Sequence, residues 1–213
     1  MKISWILFTA LLIGAAVFLG QQPTSPPPSM SPRSPSGAAT PRPSGSHQLA
    51  ESMQRKLDHL RENAASAHPD QTPTVLTEEE INDYFASGKA QLPQGVKKVV
   101  LQGTPGMITG LVTVDFDEIR AGQKSSNPLM AIFSGTHNVR VETDASGSGG
   151  EGKVHARSVS IDGIEVPTIA LQFFLEKYVT PKYPNVGIDS HFPLPERIDT
   201  ATVGQHKLTL TQK

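Results

Sequence analysis

Apolar and polar positions change period several times along this chain, and each change marks an element. From Ile3 to Leu19 no charge interrupts ISWILFTALLIGAAVFL, a run near the short end of what crosses a hydrocarbon core. Between Ser46 and Ala67, Leu49, Met53, Leu57, Leu60 and Ala64 recur at steps of three and four, giving one apolar stripe on an otherwise polar helix. His68 to Pro73 breaks it. Leu76 to Ile81 then carries a helix-start signature: Thr77 as cap, Glu80 reaching back, and Leu76 against Ile81 as a hydrophobic staple. Ile81, Tyr84 and Phe85 share a face and Gly88 stands where the helix should end. Asn82, beside that face, is placed to tie the helix to a neighbouring backbone, a structural role rather than a catalytic one.

Beyond Gly88 the period falls to two, predicting strands at Val96 to Leu101 and Met107 to Phe116 around the turn Gly103-Thr104-Pro105-Gly106. In the second, Ile108, Val112, Val114 and Phe116 face one way, and Thr109, Thr113 and Asp115 the other. His137 to Ala145 alternates similarly, and Ser146 to Gly152 reads as a flexible loop before a strand at Lys153 to Ile161. Across Val154, Ala156, Val159 and Ile161 the apolar phase slips by one, from a bulge or from a weakly buried edge. Asp162-Gly163 makes a tight turn, and Val166-Pro167 leads into a helix from Thr168 to Val179 bearing Ile169, Phe173, Phe174 and Tyr178. Gly187 to Phe192 and His206 to Leu210 add two strands. An antiparallel meander is the simplest topology, in the α+β class.

Composition splits the chain. Residues 21–46 hold eight prolines, seven serines and only Arg33 and Arg42 as charges, too little apolar surface to offset chain ordering; they read as an extended tether. Lys2 ahead of the apolar run, and no charge until Arg33 after it, suit a cytoplasmic amino terminus with the bulk exported. Phe18 argues against cleavage after Gly20, which favours a retained anchor. The expected organisation is therefore residues 1–20 as signal peptide or anchor, 21–46 as tether, 47–74 as amphipathic helix and linker, and 75–213 as one α+β domain. The stripe Leu49 to Leu60 can dock on that domain, pair with another copy or a partner protein, or fray.

Chemistry narrows by exclusion. With Cys 0, disulfides, thiolate metal sites and cysteine nucleophiles are absent. A net charge of -1 supplies no general attraction to nucleic acid. The seven histidines form no close ligand pair, so no metal is expected, and no phosphate-binding loop or other cofactor motif appears. Asp189-Ser190-His191 lacks a nucleophile elbow; Asp115, Asp117 and Glu118 read as a solvated strand end.

LTEEEINDYF (Leu76 to Phe85), the Pro-Gly turn before MITGLVTVDF (Met107 to Phe116), and GKVHARSVSIDGIEVP (Gly152 to Pro167), taken in order, resemble the LmeA-like and YpmS-like bacterial envelope proteins. Asn82, Gly163 and Pro167 stand at the matching motif positions. The resemblance implies an exported or anchored protein with a curved sheet wrapped on an apolar helix, a half-barrel related to tubular lipid-binding folds, with phospholipid as ligand. It brings no catalytic residue. The long proline-rich tether, the amphipathic segment and the glycine-rich stretch Ser146 to Gly152 depart from it.

The expectation is thus a non-enzymatic, membrane-tethered envelope domain that handles a phospholipid or other acyl-chain lipid. Its groove candidates are Phe85, Val112, Val114, Phe116, Ile169, Phe173 and Phe174. The alternatives are an interaction module acting through residues 49–60 and an exported hydrolase using His137 or His191.

Overall fold

The computed structural model describes residues 45–120, 128 and 131–213; the expectations for the apolar run Ile3 to Leu19 and for nearly all of the tether lie outside the described residues. Among the described residues no helix is long and apolar enough to cross a membrane.

In chain order come α1 (Gly45–Ala65), β1 (Thr74–Thr77), α2 (Glu78–Ala86), β2 (Val96–Thr104), β3 (Met107–Asp115), a one-turn α3 (Phe116–Ile119), β4 (Thr136–Ser148), β5 (Glu151–Ile161), β6 (Ile164–Glu165), α4 (Thr168–Phe174) running into a π turn (Leu175–Val179), β7 (Asp189–Pro193), β8 (Ile198–Gly204) and β9 (Lys207–Gln212). All nine strands join one antiparallel sheet. β2 to β5 meander as expected. Past Asp144, which faces the first residue of β3, β8 takes the place of β3 beside β4 through Gly147 opposite Ala201, and β9 and β1 follow. β7 and β6 share the far edge of β5. Terminal strands β1 and β2 do not pair, so the sheet stays open as a half-barrel, and the α+β class stands.

The stripe on α1 docks on this same domain. Met53, Leu57 and Leu60 are 0%, 2% and 1% exposed and share one core cluster with Ile81 and Phe85 of α2, the sheet, and Phe174 beyond it. A boundary at residue 75 therefore divides parts that pack together, and Met53, Leu57 and Leu60 are covered within the domain. Polar contacts lock the helix down. Lys56 donates to Glu80 at 2.7 Å and Ser52 to Glu80 at 2.6 Å, while Thr77 and Glu80 complete the capping box of α2.

Glu80 is 5% exposed. Burial pushes its carboxyl up, yet hydrogen bonds from Lys56, Ser52 and the Thr77 amide outweigh that and hold it below its ordinary value. A carboxylate depressed by folding contributes stability above its unfolded pKa and loses it as pH falls through the folded one. Glu80→Gln should thus cost about 1–3 kcal/mol at neutral pH and flatten the fall of melting temperature on acidification below about pH 4. Parallel acid slopes for variant and wild type would show that Glu80 is not the linked group.

Asn82 performs the structural role read from the sequence. Its amide nitrogen donates to the Leu101 carbonyl at 2.9 Å and its oxygen accepts from the Leu101 amide at 2.7 Å. One side chain thereby satisfies both backbone groups that the β2 edge would otherwise offer to another strand. Asn82→Ala should lower stability by about 1–3 kcal/mol, read as a shifted urea midpoint. A shift equivalent to under about 0.5 kcal/mol, the range of ordinary surface changes, would mean that water replaces the amide.

One local expectation changes and one pair of alternatives is decided. Ser146 to Gly152 is not a flexible loop: β4 runs through Ser148 and β5 starts at Glu151, leaving a tight turn with φ of 62° at Gly149 and 80° at Gly150. The apolar slip in β5 is a bulge, since Glu142 faces Ser158 but Thr143 faces Ala156. That extra residue, Arg157, donates to Asp144 at 2.7 Å. The bulge returns both halves of the strand to the core, with Val154, Ala156, Val159 and Ile161 all buried.

Candidate apolar ligand site

The seven groove residues do not line one groove. Phe85, Val112, Val114, Phe116 and Phe174 are buried in the main core, whereas Ile169 and Phe173 are 64% and 48% exposed. Phe174 stacks on Phe133 at 4.3 Å between centroids and meets Phe116 edge-on at 5.5 Å; Tyr178 tilts against it at 5.4 Å. This aromatic knot is filled, and Phe133, 1% exposed, is a member the sequence reading omitted.

The helical stripe is also rotated from its expectation. Ala170, Leu171, Phe174, Leu175, Tyr178 and Val179 face inward, and the π turn, closed by the Thr180 amide on the Leu175 carbonyl at 2.8 Å, carries that face into the next turn. Gly163, with φ of 84°, completes the turn after Asp162, and the Pro167 carbonyl accepts from Ala170 and Leu171 to begin α4.

A pocket lies instead where the β2–β3, β4–β5 and β8–β9 hairpins converge, with a cavity volume of ≈ 70 Å³. Its walls include Ile81, Leu101, Ile108, Val154, Phe192, Leu194, Val203 and Leu208. Ala145, Val154 and Val203 form a small apolar cluster apart from the main core, with Ile108, Phe192 and Leu208 against it. Backbone bonds knit the tips together: Gly106 donates to Val203 at 3.0 Å, Ala145 to Gly106 at 2.9 Å, and His206 to Gly103 at 2.9 Å.

Two strand glycines make the approach possible. A Cβ on Gly152 would stand 2.5 Å from the Phe192 ring, and one on Gly147 would stand 2.8 Å from the Ala201 Cβ. These glycines therefore admit a ring and a crossing strand, the reading appropriate to glycine within a strand. Glycine at these two strand positions is the sequence signal for this site.

The pocket offers little polar chemistry. Glu78 sits at its border with its carboxylate already engaged by the Gly103 amide at 2.9 Å and His206 Nδ1 at 2.9 Å. Lys153 and Lys207 border it too; strand alternation sends the Lys153 side chain to the face opposite Gly152 and Val154, and the Lys207 stem lies along Gly204.

Elsewhere, the residues of the hydrolase alternative are not assembled. His137 is held at both ring nitrogens, by Asp162 at 2.6 Å and the Ser134 carbonyl at 2.7 Å, and these two, in that order, raise its imidazole above the ordinary value. Ser190 is buried and bonded to Gly187, whereas its strand neighbour His191 is exposed on the opposite face. Asp115 caps α3 through the amides of Asp117 and Glu118. Among the described residues no three potential metal ligands gather. The chain matches no family model, no curated protein and no solved structure.

Proposed function

We propose that this chain is an exported, membrane-tethered, non-enzymatic domain of the cell envelope that takes up part of an acyl chain in the pocket between its hairpin tips. The observation carrying the reading is the pocket itself: apolar walls from seven strands and α2, with its one bordering carboxylate occupied. Apolar contact without ion pairing suits hydrocarbon. At ≈ 70 Å³ the pocket takes the end of a chain rather than a whole phospholipid, because drug-sized sites run to roughly 300–1,000 Å³. The apolar run Ile3 to Leu19 and the proline-rich stretch after it supply the membrane part of the proposal. The resemblance to LmeA-like and YpmS-like proteins agrees with both parts.

Ile108 lines the pocket and is only partly buried, so Ile108→Trp fills the space with limited strain. Residues 45–213 should bind a fluorescent fatty acid, and Ile108→Trp should weaken that binding about tenfold, the equivalent of about 1.4 kcal/mol, with little change in melting temperature. No binding by the wild-type domain, or equal binding by the filled variant, would remove the pocket from the proposal.

A further inference from the structure

We infer that the outer face of α4, with the β5–β6 hairpin before it, is a docking surface for the lipid bilayer itself, an inference that rests on the membrane tether proposed above. Six large apolar side chains are exposed among the described residues, and four lie in or beside this region: Ile132, Ile164, Ile169 and Phe173. Ile169 and Phe173 are one helical turn apart and project from the same face. Ile164, 75% exposed, sits at the hairpin tip immediately ahead of α4, opposite Ile161. Ile132 adjoins Phe133, whose ring stacks on Phe174 beneath that face. Gln172 and Glu176, exposed and bonded to each other at 2.9 Å, give the helix a polar border.

Chain length and area select the occupant. Residues 20–44 separate the apolar run from α1 and, in extended proline-rich form at roughly 3 Å per residue, reach about 75 Å. A domain of this size is about 40 Å across, so any of its faces can return to the membrane that holds the apolar run. Tethering supplies millimolar effective concentration, enough for a few inserted side chains to matter. A second copy is the weaker fit, because four side chains present a few hundred Å² at most against about 800 Å² per partner in a stable interface. Isoleucine and phenylalanine projecting from a hairpin and a helix face are side chains that bury at the headgroup boundary of a bilayer; with Glu165 and Glu176 beside them, the contact is apolar rather than electrostatic.

Trp5 is the sole tryptophan, which makes the test direct. Full-length chain carrying Trp5→Phe and Phe173→Trp is reconstituted into phosphatidylcholine–phosphatidylglycerol vesicles with and without brominated acyl chains. Bromine should quench the introduced indole at least about twofold, while Val75→Trp in the same background, an exposed position on β1, should stay unquenched. Adding Ile164→Ser and Ile169→Ser should relieve the quenching; Ile169→Trp serves as a second reporter should Phe173→Trp misfold. Vesicle flotation separates the two ideas. A chain that fails to float sinks the tether, whereas one that floats with an unquenched indole at both reporter positions overturns the docking surface alone. An indole that is shielded only as protein concentration rises, without bromine quenching, assigns the face to a second copy and overturns it equally.

Discussion

Removal of residues 45–66 is expected to unfold this domain. Met53, Leu57 and Leu60 are no more than 2% exposed, and each such side chain contributes about 1.5–3 kcal/mol through burial. Together they approach the roughly 5–15 kcal/mol that a whole domain retains. Truncation would also strip Glu80 of Lys56 and Ser52, leaving its carboxylate with the Thr77 amide alone. Residues 67–213 should therefore lose near-ultraviolet circular dichroism and bind a hydrophobic dye. Within the longer chain, Leu57→Ala should cost about 2–5 kcal/mol. If residues 67–213 melted cooperatively within a few degrees of residues 45–213, α1 would be an appendage and its burial energetically idle.

Neighbouring phenylalanines should give opposite results. Phe174→Ala removes the ring that touches Phe116, Phe133 and Tyr178 at once; the transfer and cavity terms together predict about 3–5 kcal/mol. Phe173→Ala, at a side chain 48% exposed, should change stability by no more than about 1 kcal/mol. Urea unfolding of both variants decides the matter. Equal costs, or a larger cost at position 173, would contradict the observed facing of α4. The contrast also separates core from surface function, because Phe173→Ala leaves stability nearly unchanged, so altered membrane contact can be measured in it without a folding effect.

Local signals were legible where neighbours in sequence provide the interaction. Thr77 and Glu80 meet within one helical turn, so the capping box follows from residue spacing. The alternation in β3 likewise places Val112 and Val114 inward and leaves Leu111 outside. The slip in β5 was visible as a break in period, but a bulge and a weakly buried edge both produce one, and only the pairing with β4 selects the bulge. Asn82 was readable as a helix-to-backbone tie, although not which backbone it meets.

Other features needed the third dimension. Thr168 to Val179 is apolar nearly all round, so no periodicity selects a buried face; the aromatic rings of Phe116 and Phe133 make that selection. β8 is Ile-Asp-Thr-Ala-Thr-Val-Gly, without a strong pattern, and becomes a strand by pairing with β9 and meeting the tip of β4. The pocket draws on segments from residue 78 to residue 208, and its glycines acquire meaning only once Phe192 and Ala201 lie against them.

By itself the sequence determined the α+β class, the helix starts, the strand faces and the absence of thiol chemistry, because these depend on residue type and on contacts a few positions apart. Tertiary structure alone decided that α1 belongs to the core, that five of the seven groove residues are buried while Ile169 and Phe173 face outward, and that the open space lies among the hairpin tips. Each of those outcomes depends on which distant apolar surface reaches a side chain first, and pattern along a chain does not encode that competition.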